Sequence, residues 1–331
     1  MLGTLTANAF RARGWNVRSA ARQGGPEQIE VDLDSRESVA AVLEENEVVV
    51  NTVPHPGLLA ERTVLERGGV LVNTSALPAA ASRSLRAVAG GARGKVLMNA
   101  GLAPGVTNVV AADLLHHHPD AEEIEIVFTL SGDAPRGPAG SDFLYRGLTA
   151  VGRHGTMMIP LPEPFGERRC LGFGEGESAW LGGMAEARVV RLYICVADAA
   201  AHERMLLLNR SGAMDQLPRS LLESLAPSTD GTPSMDGTPS MDGTPSMDGT
   251  PSMEPVAHWI AVKTRGRHLA TRTVECRGAF LHAARSTVVF AEALLGDQLP
   301  GGCFDPEEVC TLSQIEAGLL AAGIRVVSQA G

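Results

Sequence analysis

The sequence predicts an α/β fold in two parts: a doubly wound parallel sheet in the first third of the chain, then an α+β unit built on an antiparallel sheet. Three apolar runs end at an asparagine, Val48-Val49-Val50-Asn51, Val70-Leu71-Val72-Asn73 and Lys95-Val96-Leu97-Met98-Asn99, and the asparagines stand 22 and then 26 residues apart. That is the repeat of a strand, a helix and two short loops. Each run is continuous rather than alternating, as expected of a parallel strand covered on both faces. The small polar residue marks the carboxyl edge, where such sheets bind ligands. From Glu122 onward the apolar residues alternate instead, which implies strands with one face in a core and one outside.

Before Asn51 the same alternation of elements holds. A helix from Thr4 to Arg13 stops at Gly14, a glycine in the place where helices end. Asn16 to Arg22 and Gln28 to Asp32 read as short strands, and Asp34-Ser35-Arg36-Glu37 is a capping signal for a helix from Ser38 to Glu45. A Rossmann-type dinucleotide fold opens on a buried strand and a glycine-rich turn. Here Met1-Leu2-Gly3 leads directly into the helix, so the sheet is expected to lack its first strand, with Gly3 as the last glycine of the fingerprint. In the usual 3-2-1-4-5-6 order that strand lies between those ending at Arg22 and Asn51. After Asn99 the turn Gly101 to Gly105 precedes a helix from Asn108 to Leu115. Its free N–H groups are expected to face the ligand edge and favour an anion or a carbonyl. His116-His117-His118 come next; consecutive residues on a helix end point in different directions, which favours a solvated helix stop over a metal site.

The second part contains runs at Glu123 to Leu130, Thr156 to Pro160, Arg169 to Phe173, Ala187 to Cys195, His258 to Thr264 and Thr271 to Cys276, the last two forming a hairpin around Gly266. Phe280 to Leu295 is an amphipathic helix stopped at Gly296, and the tail is a helix from Pro306 to Ala322 and a short strand from Gly323 to Val327. The expected domains are 1–118 (dinucleotide-binding), 119–279 (substrate-binding, with an insert at 228–254) and 280–331 (helices packing back on the first domain). The insert holds Asp-Gly-Thr-Pro-Ser-Met four times without change, from Asp230 to Met253. A unit so rich in Gly, Pro and Ser buries little and is expected to be a disordered linker.

A net charge of −10 argues against nucleic-acid and anionic-membrane partners, and no apolar stretch is long enough to cross a bilayer. Arg11, Arg13, Arg18 and Arg22 precede any acidic residue, as in a transit peptide. Helix, glycine stop and strand explain the same residues and continue in phase with the strands beyond Arg22. The five cysteines form no C-x-x-C pair, so reduced thiols and a cytoplasmic location are expected.

Val48 to Pro54, Leu65 to Asn73, Asn99 to Gly105 and the late Phe304-Asp305-Pro306-Glu307-Glu308-Val309 together resemble the saccharopine dehydrogenase-like oxidoreductases. The resemblance spans most of the chain outside the insert. It implies a dinucleotide-binding domain, a mixed substrate domain, and hydride transfer with NADP or NAD, typically at the carbon–nitrogen bond of an amino-acid-derived imine. Arg22, ending the second strand of the usual order, suits a 2′-phosphate and favours NADP over NAD; the alternative is a solvated cation. Asp32 either meets the adenine edge or starts a turn. Asn51, Thr52 and Pro54 are expected at the ribose and pyrophosphate, with Asn73 and Gly101 nearer the nicotinamide. Each is also ordinary turn chemistry.

The candidates for proton transfer are Tyr145, Arg146 and His154, in the connection where a substrate domain can lower polar groups onto the nicotinamide. Their alternative is a surface loop. Glu175 and Glu177 form a carboxylate pair flanked by glycines, which suggests an exposed loop. No metal site is expected. The expected partner is a small-molecule substrate, and a homodimer stays open. A reading from another class is a non-catalytic dinucleotide-sensing or scaffold protein that has lost the glycine fingerprint.

Lengthening a disordered loop costs only about 0.6 kcal/mol per doubling. Deleting Asp230 to Met253 should therefore leave the melting temperature nearly unchanged, measured by calorimetry on the two chains side by side. A drop of many degrees would show that the repeats are structural.

Overall fold

The computed structural model describes residues 1–25, 28–43, 48–55, 57–75, 79–130, 138–149, 154–174, 184, 188–216, 253–296 and 299–329. The carboxylates Glu175 and Glu177, and the repeats up to Ser252, lie outside the described residues. The first part of the chain runs α1 (Leu2–Ala12), β1 (Ser19–Ala21), β2 (Gln28–Glu30), α2 (Arg36–Val42), β3 (Val48–Asn51), α3 (Leu59–Arg67), β4 (Val70–Asn73), α4 (Ala79–Val88), β5 (Lys95–Leu97) and α5 (Val106–His117). The asparagine-terminated runs are thus three successive parallel strands, with Asn51 level with Asn73 in the register. A fourth parallel strand, β12 (Gly302–Phe304), arrives from far along the chain and pairs with β5.

Punctuation obeys the local chemistry. Gly14 takes φ +85° just beyond α1, a left-handed conformation that glycine reaches without steric cost. The helix expected from Ser38 begins two residues earlier, because the Ser35 side chain accepts the Ser38 N–H and caps it. β1 and β2 form a parallel pair of their own, and among the described residues neither is hydrogen-bonded to β3. The two pieces are joined instead by side chains. Arg36 pairs with Glu66 at 2.9 Å across α2 and α3, and His55 Nε2 lies 3.1 Å from Asp34 Oδ1.

The second part contains β6 (Glu123–Leu130), α6 (Pro138–Thr149), β7 (Thr156–Pro160), β8 (Glu167–Phe173), β9 (Val189–Val196), α7 (Ala199–Ser211), β10 (Pro255–Thr264), β11 (Arg267–Arg277) and α8 (Ala279–Gly296). After β12 come α9 (Pro306–Val309), α10 (Leu312–Ala321) and β13 (Arg325–Gln329). One seven-stranded sheet has the order β13-β11-β10-β6-β9-β8-β7. It is mixed rather than wholly antiparallel, since β6 and β9 run parallel while every other neighbouring pair is antiparallel. Alternation of apolar residues reports a half-buried strand but not its direction, and a parallel pair needs only a crossover between its members. The hairpin around Gly266 forms as expected, with φ +47° at Arg265 and +75° at Gly266, the two positive angles that match strand twist.

Ile124, Ile126 and Phe128 on one face of this sheet join a core that also contains Val106, Val109 and Val110 of α5 and Phe290 of α8. The same core takes in Val72 and Leu97 of the parallel sheet, so apolar packing is continuous between the two sheets. The other face carries Val127, Trp259 and Ala261 in a smaller core. Beside it sits a buried ion pair, Lys263 Nζ to Glu125 Oε2 at 2.5 Å, with an Arg191 nitrogen 3.8 Å from Glu125 Oε1.

Removing one partner of a buried pair strands the other charge, at about 3–5 kcal/mol. Lys263→Ala should lower the unfolding free energy, measured by denaturant titration, by about that amount, whereas Glu125→Leu with Lys263→Met should recover most of it. Equal losses in the single and double variants would show that the pair is not the source of the effect.

Candidate functional site

The carboxyl edge of the parallel sheet is organised around one buried carboxylate. Glu61, in the first turn of α3 and 1% exposed, accepts through Oε1 from Asn51 Nδ2 and from Asn73 Nδ2, each at 2.7 Å. Hydrogen bonds to an ionised group are roughly twice as strong as those between neutral groups. The amide oxygens turn the other way. Asn51 Oδ1 accepts the Val53 N–H at 2.9 Å, and Asn73 Oδ1 accepts the Ser75 N–H at 2.7 Å. Each asparagine therefore starts its own turn while Glu61 ties the two turns together. The Thr74 N–H, donating to the Asn51 carbonyl at 3.0 Å, joins the same two loops through the backbone.

Two helix amino termini lie near this edge, and they differ. The expectation for α5 is overturned: its first N–H groups are already used. Val106 donates to Gly101, Thr107 to Leu102 and Asn108 to Gly105, and the Gly105 N–H itself goes to Asn108 Oδ1. The Gly101–Gly105 turn folds back over the helix start and satisfies it, leaving no donor for an anion. α1 has no side-chain cap, and the first N–H groups of a helix have no partner within it. A Cβ built on Gly3 would stand 3.1 Å from Thr52 Oγ1, so the α1 start approaches the end of β3 closely at a residue without a side chain. The amino terminus of a helix beside a strand end suits the pyrophosphate of a dinucleotide.

A second polar cluster lies at the β5 and β12 ends. Asn99, at φ +55°, donates to Asp305 Oδ1 at 2.9 Å, and Arg86 reaches Asp305 Oδ2 at 2.6 Å and Glu308 Oε2 at 2.5 Å. Burial pushes the Asp305 carboxyl above its usual range, against the opposing pull of Arg86 and Asn99. Glu307 is half-buried as a residue, yet its Oε2 is sealed from solvent and among the described residues has no hydrogen-bond partner. Burial first, and then the neighbouring Asp305 charge, push its carboxyl up to about 8.

The residues singled out in the sequence are spread over both parts of the fold. Gly3, Thr52 and Pro54 lie at or beside the α1 and β3 ends, with Pro54 exposed. Arg22 is exposed directly after β1. Asp32 is exposed after β2, and its Oδ1 accepts the Asp34 N–H at 3.0 Å, which is turn chemistry. Gly101 is buried, and a Cβ there would lie 3.7 Å from the Thr74 carbonyl. Tyr145 packs half-buried against the large core, and Arg146 follows it in α6. His154 is buried with Nε2 2.7 Å from the Leu148 carbonyl, while its backbone N–H and carbonyl both bond the Asn209 side chain. Glu61, Thr74 and Arg86 were not singled out. Glu61 had a signal: it shares a helical face with Val64 and Leu65, where a charge is out of place unless it has partners.

No protein-family model matches the chain, and no curated protein does. Among solved structures, the homospermidine synthase of Legionella pneumophila, in complex with NAD, is similar with a TM-score of 0.60 at 11% identity, covering 100% of this chain and 89% of that one. GenD2 from gentamicin A biosynthesis, in complex with NAD, is similar with a TM-score of 0.42 at 12% identity, over 100% of this chain and 94% of that one. The first likeness shows the fold, a Rossmann-type α/β unit joined to a large mixed sheet.

The raised Glu307 carboxyl carries a pH signature. Between its ordinary 4.5 and about 8 the folded state holds a proton that the unfolded state has released. Stability therefore falls as pH rises through that window, by at most about 1.4 kcal/mol per unit. Glu307→Gln removes that slope. The variant should gain melting temperature relative to the parent between pH 5 and pH 8, and a gap that stays constant with pH would refute the assignment.

Proposed function

We propose that the chain is a nicotinamide-dinucleotide-dependent oxidoreductase of saccharopine dehydrogenase-like type, acting at a C–N or C=O carbon of a small amino-acid-derived substrate. The observation that carries this reading is the close approach of the α1 start, at Gly3, to Thr52 at the carboxyl edge of a doubly wound sheet. Anions bind such helix starts, and the homospermidine synthase of like fold holds NAD. When bound, the dinucleotide supplies the hydride. The α1 N–H groups and Thr52 would hold the pyrophosphate, with Asn51 and Asn73 fixing the loops on which the riboses rest.

NADP is the preferred cofactor on this reading, because Arg22 stands exposed directly after β1, where a cation accepts a 2′-phosphate and a carboxylate accepts a ribose hydroxyl. A non-catalytic dinucleotide sensor is the second reading. It is favoured by His154, whose ring and backbone bonds all serve its own neighbourhood. NADPH oxidation by the purified chain over a panel of amino-acid-derived imines and carbonyls separates the two, since the sensor binds without turnover.

Replacing Arg22 with Asp should weaken NADPH binding by at least about tenfold while leaving NADH binding within about threefold, because the new carboxylate repels the phosphate and accepts from a free ribose hydroxyl. Fluorescence titration of both cofactors measures this. Equal losses would make Arg22 a mere surface charge.

A further inference from the structure

Glu61 is a buried carboxylate held by neutral groups. Its Oε1 takes two amide N–H bonds at 2.7 Å, from the terminal residues of two adjacent strands at the edge assigned above to the dinucleotide. The cations on its own helix and on α4 whose bonds are known are committed elsewhere. Arg62 donates to Ser84 Oγ, Arg67 to the Ala40 carbonyl, and Arg86 to Asp305 and Glu308. Among the described residues no cation forms an ion pair with Glu61, and the positive group on its own element is the α3 amino terminus, worth about half an elementary charge. Part of its negative charge is therefore uncompensated, and inside a protein such a field is far less screened than in water. Asn51 and Asn73 cannot reorient to cancel it. Their amide oxygens are pinned by the N–H groups of Val53 and Ser75, and their amide nitrogens point inward.

We infer that Glu61 sets the redox preference of the dinucleotide site, favouring the oxidised nicotinamide over the reduced one. The oxidised ring carries a positive charge and the reduced ring none, so a fixed negative charge behind the Asn73 amide, on the loop assigned to the nicotinamide side, favours the former. Glu61 touches no substrate atom; it acts through the field it keeps at the edge, and as a positioning residue for the two loops. The inference rests on the dinucleotide reading of this edge.

The test is the ratio of dissociation constants for NADP+ and NADPH, and for NAD+ and NADH, measured by calorimetry on the full chain. The unmodified chain should bind the oxidised form at least as tightly as the reduced one. Glu61→Gln keeps an acceptor oxygen for both amides and removes the charge. It should shift the ratio toward the reduced form by about fivefold or more, mostly through weaker binding of the oxidised form. Glu61→Asp keeps the charge and should leave the ratio within about twofold even where overall affinity falls. Tighter binding of the reduced form by about tenfold or more in the unmodified chain overturns the inference without any variant. Binding in Glu61→Gln with an unchanged ratio also overturns it while leaving the dinucleotide reading intact. If neither form binds the unmodified chain, both fall together.

Discussion

The larger sheet is built against α5. Val106 to Ala111, Leu114 and Leu115 are all buried, so this helix has almost no solvated face. A helix apolar nearly all round must be enclosed. It shares one core with β6 and β10, and that core continues to Val72 and Leu97 of the parallel strands. Its one prominent charge, Asp113, is bound by Arg272 of β11. The same demand explains the turn before it. A helix start buried this deeply needs partners for its N–H groups, and Gly101 to Gly105 supplies them from within the chain. The turn can do so only because Gly105 adopts φ +133°, with no room for a Cβ beside the Gly101 carbonyl.

The edge of the parallel sheet is set by a different kind of contact. Three asparagines close three successive strands, and each is anchored by a carboxylate from elsewhere: Asn51 and Asn73 by Glu61, Asn99 by Asp305. Such bonds are worth about 1.5–3 kcal/mol each when a charge takes part, and leaving any member unpaired costs comparably. The edge is therefore rigid where it would bear a ligand.

The strands were legible because their signal is local. A parallel strand must be apolar on both faces, so Val48 to Val50 and Val70 to Val72 announce themselves, and a strand end must release the chain, so the asparagines do too. The helix stop at Gly14 and the turn at Gly266 are equally local, since both require positive φ. The direction of β9 was not legible, because pairing parallel to β6 depends on a crossover and not on the composition of either strand. The polar site was legible in outline only. That Asn51 and Asn73 would stand side by side comes from strand spacing. That they would share one carboxylate, ten residues beyond the first and twelve before the second, comes from how α3 crosses the sheet. The use of the α5 N–H groups was hidden for a like reason: a glycine turn reads the same whether it opens toward a ligand or closes on the helix that it precedes.

The last strands of the chain have a consequence for how it is made. β12 pairs with β5, and β13 with β11, so late strands supply an edge to each of the two larger sheets. β6 likewise finds its neighbours only when β9 and then β10 have been synthesised. Contacts so distant along the chain slow folding, because loop closure must come before the pairing that rewards it. On the ribosome, β3, β4 and β5 can assemble as they emerge. The larger sheet must wait until β9 and β10 have been made. A helper that shields apolar strands during synthesis would have its longest task between the appearance of Glu123 and that of Arg277.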